Sequence, residues 1–508
     1  MKTARVLGAS LLGWKAELVT VEARFEPTEQ GRTEVLLTGL PDNVLRESRG
    51  RLLCALQENR LRLGSGRLFL NLVPASLPKS GESLDLALVL AAACAGGHLR
   101  PSELTGTLFL GEVGIDGDLH PAPGGLAAAL AARDAGQSQI HSLIAPPATA
   151  REASVLSGLA VYAATSLAEV MAHLSSDANG LARLSAPEPP PTKTPETSLD
   201  EVRGHHAAKY ALAIAAAGGH ALLMMGPPGA GKTMLARRLP CLLSPPTMGT
   251  CLETTAILAA TGRRPEGLVR QRPFRAPHHT ASYAGLVGGG TQLRPGEVSL
   301  AHGGVLFLDE LPEFRREALE ALRQPLELGS ISVSRSARQI DFPARFQLIA
   351  AMNPCPCGYR GHPARPCLCA PGDVRRYRRR LSGPLLDRID LRLELQASTP
   401  AELVGGGQQE GPLQADLVRA VEQAQRARKQ RGQSIQNASL GPDGLDQAMP
   451  MNREATRLLA QATEAHALSA RAIQSLRRVA LTLSDMAPQA ERGTVDLLAR
   501  ALALRVEL

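Results

Sequence analysis

The 508-residue sequence has too few cysteines for a disulfide scaffold: there are eight in all. Where thiols cluster in such a chain, they point to metal instead. Long apolar runs are also missing. The longest, residues 84–95, carries Asp85 and falls well short of the ~20 residues that cross a bilayer. Residues 1–14 lack a charged segment followed by an apolar block, so no signal peptide is expected and the protein reads as cytoplasmic, with no membrane partner. Lysine is scarce beside arginine, 7 against 49. No lysine occurs between Lys79 and Lys193.

Apolar residues make up 44% and charged residues 20%, which excludes a mostly disordered chain. The length suggests roughly three domains. Charge is uneven: residues 1–185 hold 16 Lys+Arg against 18 Asp+Glu, a net of −2, leaving 40 against 30, a net of +10, for the remainder. Residues 335–392 alone hold 12 Arg and 4 Asp. A field of that sign attracts phosphates of nucleotide or nucleic acid, although a solvated surface in an Arg-rich chain reads the same.

Residues 186–197, APEPPPTKTPET, form a proline-rich linker. Before it, β-type runs (67–74, 107–111) alternate with Ala/Leu-rich helical runs (84–95, 125–136), predicting an α/β or α+β domain. After it come a helix at 209–217, a buried strand at 221–225 and, beyond 399, long Ala/Leu/Gln/Arg helices such as 416–431 and 453–467. The expected domains are 1–178, a linker at 179–198, a core at 199–398 and a helical lid at 399–508.

Gly226-Pro227-Pro228-Gly229-Ala230-Gly231-Lys232-Thr233 matches G-x-x-x-x-G-K-[ST] between a strand and a helix, the setting a phosphate loop requires. Backbone N–H groups would close on the phosphates of ATP, Lys232 would reach the β- and γ-phosphates, and the Thr233 hydroxyl would bind Mg²⁺. A second apolar strand, 305–308, ends in Asp309-Glu310. Asp309 would hold Mg²⁺ and Glu310 would orient or deprotonate the attacking water. A third, 347–352, ends at Asn353.

Together with FRAPHHTAS, AMNPCPCG and SGPLLDRIDL, these strings resemble the magnesium-chelatase-like branch of AAA+ ATPases, specifically the ComM/YifB family. The resemblance implies an α/β P-loop core with a helical lid and a homo-hexameric ring that moves DNA branches during recombination, including natural transformation. It makes Asn353 the sensor-1 residue, Arg388 an arginine finger for the neighbouring subunit and Arg471 a sensor-2 residue in the lid. The bland alternatives are an Arg388 paired with Asp387 or Asp390 and a helix-surface Arg471. Residues 261–300 would be the helix-2 insert of this branch. Residues 331–342 read as a hairpin whose tip carries Arg335 and Arg338, suited to a phosphate backbone, or as an ordinary surface hairpin. His278 and His279, read as adjacent strand residues facing opposite ways, make a poor metal pair; substrate contact is the open alternative. His205-His206 reads as structural, beside an adenine pocket with Val202 and Gly204.

Cys355-x-Cys357 and Cys367-x-Cys369 offer four thiolates for a structural zinc ion, though C-x-C departs from the usual wider spacing. Four unliganded thiols are the alternative. In the amino-terminal domain, residues 78–85 and 111–126 resemble the catalytic segments of Lon-type proteases with Ser83 at the serine position. The lysine position falls near Ala127, so a Lon-like, ribosomal S5 domain 2-like fold without proteolysis is expected. Competing readings for the whole chain are a chelatase subunit and a protein-remodelling ATPase.

Overall fold

Strands buried on both faces and strands that alternate build the two large sheets among the described residues. The computed structural model describes all residues except 1–2, 30, 40–41, 76, 78–81, 137–138, 176–179, 187–197, 264–266, 291–292, 336–337, 397–411, 488–494 and 507–508. The proline-rich linker thus lies almost wholly outside the described residues. Two units form: residues 1–191 with 251–269, and residues 192–250 with 270–508. The stretch 261–300 is therefore divided between them.

The first unit is built on a mixed seven-stranded sheet. Its spatial order is Glu34–Thr38, Gly66–Val73, Lys15–Pro27, Ala4–Leu12, Thr107–Phe109, Ser142–Ala145 and Ala160–Ala163. Ala4–Leu12 and Lys15–Pro27 form an antiparallel hairpin, and the last four strands of that order run parallel. Along Gly66–Val73 every second residue is buried, so one face is covered and the other meets solvent. The apolar helix Asp85–Ala95 has ten buried residues and supplies the centre of the covered face. Leu252 and Ala256, from the helix Met248–Ala259, join the other cluster of this unit with Leu126, Ala129 and Leu143.

The second unit holds a five-stranded parallel sheet in the order Phe274–Arg275, Val305–Leu308, Gln347–Met352, Leu222–Met225, Leu391–Glu394. LLMM, VLFL and QLIAAM are buried at every position, which is why they read as unbroken apolar runs. The first strand of this sheet in sequence, Leu222–Met225, lies between the fourth and fifth. That reversal of order opens a crevice at the strands' carboxyl ends, where open α/β sheets bind ligands. The helices Gln414–Gln430, Pro442–Ala448, Arg453–His466, Ala470–Met486 and Val495–Ala503 bury their apolar faces in the same core as this sheet. A buried polar chain pins them. His220 meets Asp390 (2.9 Å) and the Thr482 hydroxyl (2.8 Å), Ser475 donates to Asp390 (2.6 Å), and Asn437 donates to Thr482 and Asp485. Since each of these buried groups has a partner, the network avoids the penalty of an orphaned polar atom. No described helix is long and apolar enough to cross a membrane.

Candidate functional site

The phosphate loop leaves the end of Leu222–Met225 and enters the helix Lys232–Arg237. Gly229 and Gly231 adopt φ of 80° and 73°, a left-handed geometry that only glycine takes without penalty. At Gly226 a Cβ would lie 2.6 Å from the Leu395 carbonyl oxygen, so that position is closed to any side chain. The Lys232 ammonium is folded into the loop. It donates to the carbonyls of Gly226 (2.6 Å) and Pro227 (2.9 Å) and to Asn353 Oδ1 (3.1 Å). Burial lowers its pKa, opposed by the charges of Asp309 and Glu310.

Thr233 Oγ1 donates to Asp309 Oδ2 at 2.7 Å, and Asp309 Oδ1 accepts the Glu310 backbone N–H at 2.9 Å. A hydroxyl and a carboxylate at that separation are the oxygen pair a small hard cation needs, so these two residues fit Mg²⁺. Glu310 has φ of 52°, and its carboxylate meets His279 Nδ1 at 3.0 Å. Lys232, Thr233, Asp309, Glu310 and Asn353, scattered over 122 residues of sequence (353 − 232 + 1), thus converge at one end of the sheet.

The His279 contact corrects the sequence expectation. His278 and His279 do not alternate along a strand; their rings lie 4.1 Å apart. Beyond the last paired residues, Arg275 and Leu306, the chain carrying His279 leaves the sheet, and its imidazole meets the Glu310 carboxylate. His205 caps the helix His206–Gly218 with φ of 53°, and a Cβ at Gly231 would lie 3.6 Å from its Nε2. His205 therefore packs on the phosphate loop, a contact composition does not reveal.

Arg388 does not form the pair with Asp387 or Asp390 considered from sequence, and Arg471 is exposed on the surface of its helix. Both donate to the same carboxylate oxygen, Glu327 Oε1, and Arg388 also donates to the Pro384 carbonyl (2.6 Å). Burial and the neighbouring Arg471 lower the Arg388 pKa. Glu327 had no sequence signal, because it sits 61 residues from Arg388 and 144 from Arg471. No hydrogen bond or ion pair among the described residues joins either arginine to the phosphate loop. Asp390 instead serves His220. The hairpin forms as Ser330–Arg335 and Arg338–Pro343, with Arg335 opposite Arg338. Residues 336–337 and the side chains of Arg335 and Arg338 lie outside the described residues.

The four cysteines come together. Cys355 Sγ lies 3.4 Å from Cys357 Sγ and 3.6 Å from Cys367 Sγ, and all four sulfurs, Cys369 included, fall within 4.8 Å of one another. A tetrahedron with Zn–S bonds of about 2.3 Å has S···S edges of about 3.8 Å, whereas a disulfide would need about 2.05 Å. The set therefore fits a closed, structural ion. The Tyr359 backbone N–H holds the Cys357 thiol down to about 6, while burial and the neighbouring thiols push Cys367 and Cys369 up, so the four sulfurs share charge unevenly. This knuckle also touches the nucleotide site: a Cβ at Gly358 would stand 2.8 Å from Pro228 Cδ.

In the first unit, Ser83 is buried and donates to the Ala9 carbonyl at 2.8 Å. Ala127 is buried as well. Nearby Asp85 is held by Arg51 (2.8 Å), yet burial pushes its carboxyl up to about 6.

Three matches to known families span most of the chain. Residues 198–403 match "Magnesium chelatase, subunit ChlI", residues 22–148 match "Subunit ChlI of Mg-chelatase", and residues 414–505 match "Magnesium chelatase, subunit ChlI C-terminal". The competence protein ComM of Haemophilus influenzae is 39% identical over 96% of this chain and 94% of its own length. The YifB protein of Salmonella typhimurium is 38% identical with the same coverage, and that of Escherichia coli is 38% identical over 94% and 92%.

Proposed function

Because the chain belongs to the ComM/YifB family of magnesium-chelatase-like AAA+ ATPases, we propose that it is a hexameric, DNA-stimulated motor that moves branched DNA in recombination or natural transformation. The family makes it an ATPase that uses ATP with Mg²⁺. The observation that carries the finer reading is a hydrolysis site complete but for an arginine, in a chain similar along its length to a competence protein.

Each residue has a task in this reading. Lys232 leaves its three internal acceptors for the β- and γ-phosphates. Thr233 and Asp309 hold Mg²⁺, which supplies charge neutralisation at the phosphates. Glu310, held in place by His279, accepts a proton from the attacking water, and Asn353 orients that water. Arg388 reaches the γ-phosphate bound by the adjacent subunit, and Arg471, tethered to the same Glu327, works beside it. The knuckle holds zinc and braces Pro228. The hairpin brings Arg335 and Arg338 to phosphates in the ring pore. The first unit is a Lon-like collar without protease activity, its Ser83 hydroxyl occupied by Ala9.

ATP hydrolysis measured with and without forked DNA tests the proposal. Stimulation by DNA is expected. Stimulation by a porphyrin or an unfolded protein, and none by DNA, would favour the chelatase or protein-remodelling alternative. Replacing Arg335 and Arg338 with Ala should reduce DNA-stimulated hydrolysis and spare the basal rate.

A further inference from the structure

Beyond the nucleotide site, the stretch from Tyr359 to Arg380 carries seven arginines and one aspartate, a net of +6 in 22 residues. Two of its arginines are tied to carboxylates: Arg380 to Glu313 at 2.6 Å and Arg376 to Asp373 at 3.6 Å. Arg365 lies over the Tyr359 ring, 5.3 Å from its centroid, and donates to the phenol oxygen. Arg360, Arg375 and Arg379 are exposed and pair with no described carboxylate. Arg375 and Arg379 stand four positions apart, one turn along the end of the helix Pro371–Arg378. Exposed cations left without acids cost little in water but repel one another, so the surface is set for an anion it does not itself contain.

Leu368 adds a second, independent feature. It is 89% exposed, more than any other large apolar side chain described. It stands between Cys367 and Cys369, so an ion held by the sulfur cluster would fix its backbone on both sides. A leucine mounted this way cannot retreat into the core by a loop shift. Phosphates satisfy the arginines and base faces satisfy the leucine; DNA carries both in every nucleotide, and its base faces are open where stacking is interrupted.

We propose that the four-cysteine knuckle and the helix after it form a DNA-binding surface, with Arg360, Arg375 and Arg379 on backbone phosphates and Leu368 as an apolar tip against bases unstacked at a branch. This rests on the DNA-motor reading and adds a contact separate from the Arg335/Arg338 hairpin. Because the contacts are to phosphates, binding is sequence-tolerant.

The test uses the full chain and labelled oligonucleotides: a single strand, a duplex and a four-way junction, titrated at several salt concentrations. In the Arg360→Ala/Arg375→Ala/Arg379→Ala variant the slope of log K against log salt should fall by about 2 to 3 units, at roughly 0.7–0.9 per phosphate lost. Zinc content and basal ATP hydrolysis should hold. The triple Lys variant should keep most of the slope. Leu368→Ser should leave the slope unchanged and lose about tenfold in preference for junction over duplex, as expected for one exposed leucine side chain. If the wild-type protein binds DNA and the Ala triple keeps its slope, this surface is not the contact, although the DNA reading stands. Loss of self-association in the Ala triple with an unchanged slope would make the surface a subunit interface and overturn the proposal. A wild-type protein that binds none of the three DNAs would overturn both.

Discussion

Glu310 stands in left-handed backbone geometry, which costs a non-glycine residue about 1–2 kcal/mol, and its carboxylate is already engaged by His279. Such strain persists where the surroundings impose it, and here it aims the carboxylate across the end of the sheet. Glu310→Gln should keep ATP bound and lose about 100-fold or more in turnover, read by nucleotide retention beside phosphate release. His279→Ala should lower kcat by up to about 100-fold with the KM for ATP little changed, because it misplaces the base without touching the phosphate loop. An unaltered kcat would remove His279 from the mechanism. Asp85 makes a different statement. Its folded pKa is about 6 against 3.8 for a free aspartate, so the folded state holds a proton the unfolded state has released between those values. Its contribution to stability is greatest at low pH and falls as pH rises through this window, by on the order of 3 kcal/mol. Thermal melts of the wild type and Asp85→Asn from pH 4 to pH 7 should show a flatter profile in the variant.

Among the elements, the strands around the nucleotide were legible and their cross-connections were not. LLMM, VLFL and QLIAAM announce themselves because both faces are buried, and they run directly into Gly226, Asp309 and Asn353. His279 was misread because a strand rule was applied to a segment that has left its strand, and its contact with Glu310 depends on a register that only the folded sheet displays. Glu327 and the contact of Gly358 with Pro228 depend on how distant segments pack, and no local pattern encodes them. The cysteine knuckle was visible as spacing, but its seat on the phosphate loop was not. That seat gives a prediction. Cys367→Ser/Cys369→Ser should lose about one zinc per chain and weaken ATP binding together. Gly358→Ala should weaken ATP binding and retain zinc, since φ of 84° and a 2.8 Å approach to Pro228 leave a methyl group no room. Metal-free protein with full ATP affinity would contradict this coupling.

At the scale of the whole molecule, the phosphate-loop end of the sheet gathers Lys232, Thr233, Asp309, Glu310 and Asn353, while Arg388 and Arg471 share one carboxylate and no described hydrogen bond ties either to that loop. That division is what a ring needs if one subunit completes the next. Arg388→Ala and Glu310→Gln should each lose turnover, and mixing them should restore a fraction, because some interfaces then pair an intact finger with an intact glutamate. No recovery in rings shown to be mixed would place the finger in its own subunit. ATP-driven movement of branched DNA can be followed as strand exchange in a fluorescent four-way junction. Wild-type protein with ATP should move the branch, and Glu310→Gln should bind the junction and leave it in place. Brisk ATP hydrolysis with the junction unmoved would contradict the account.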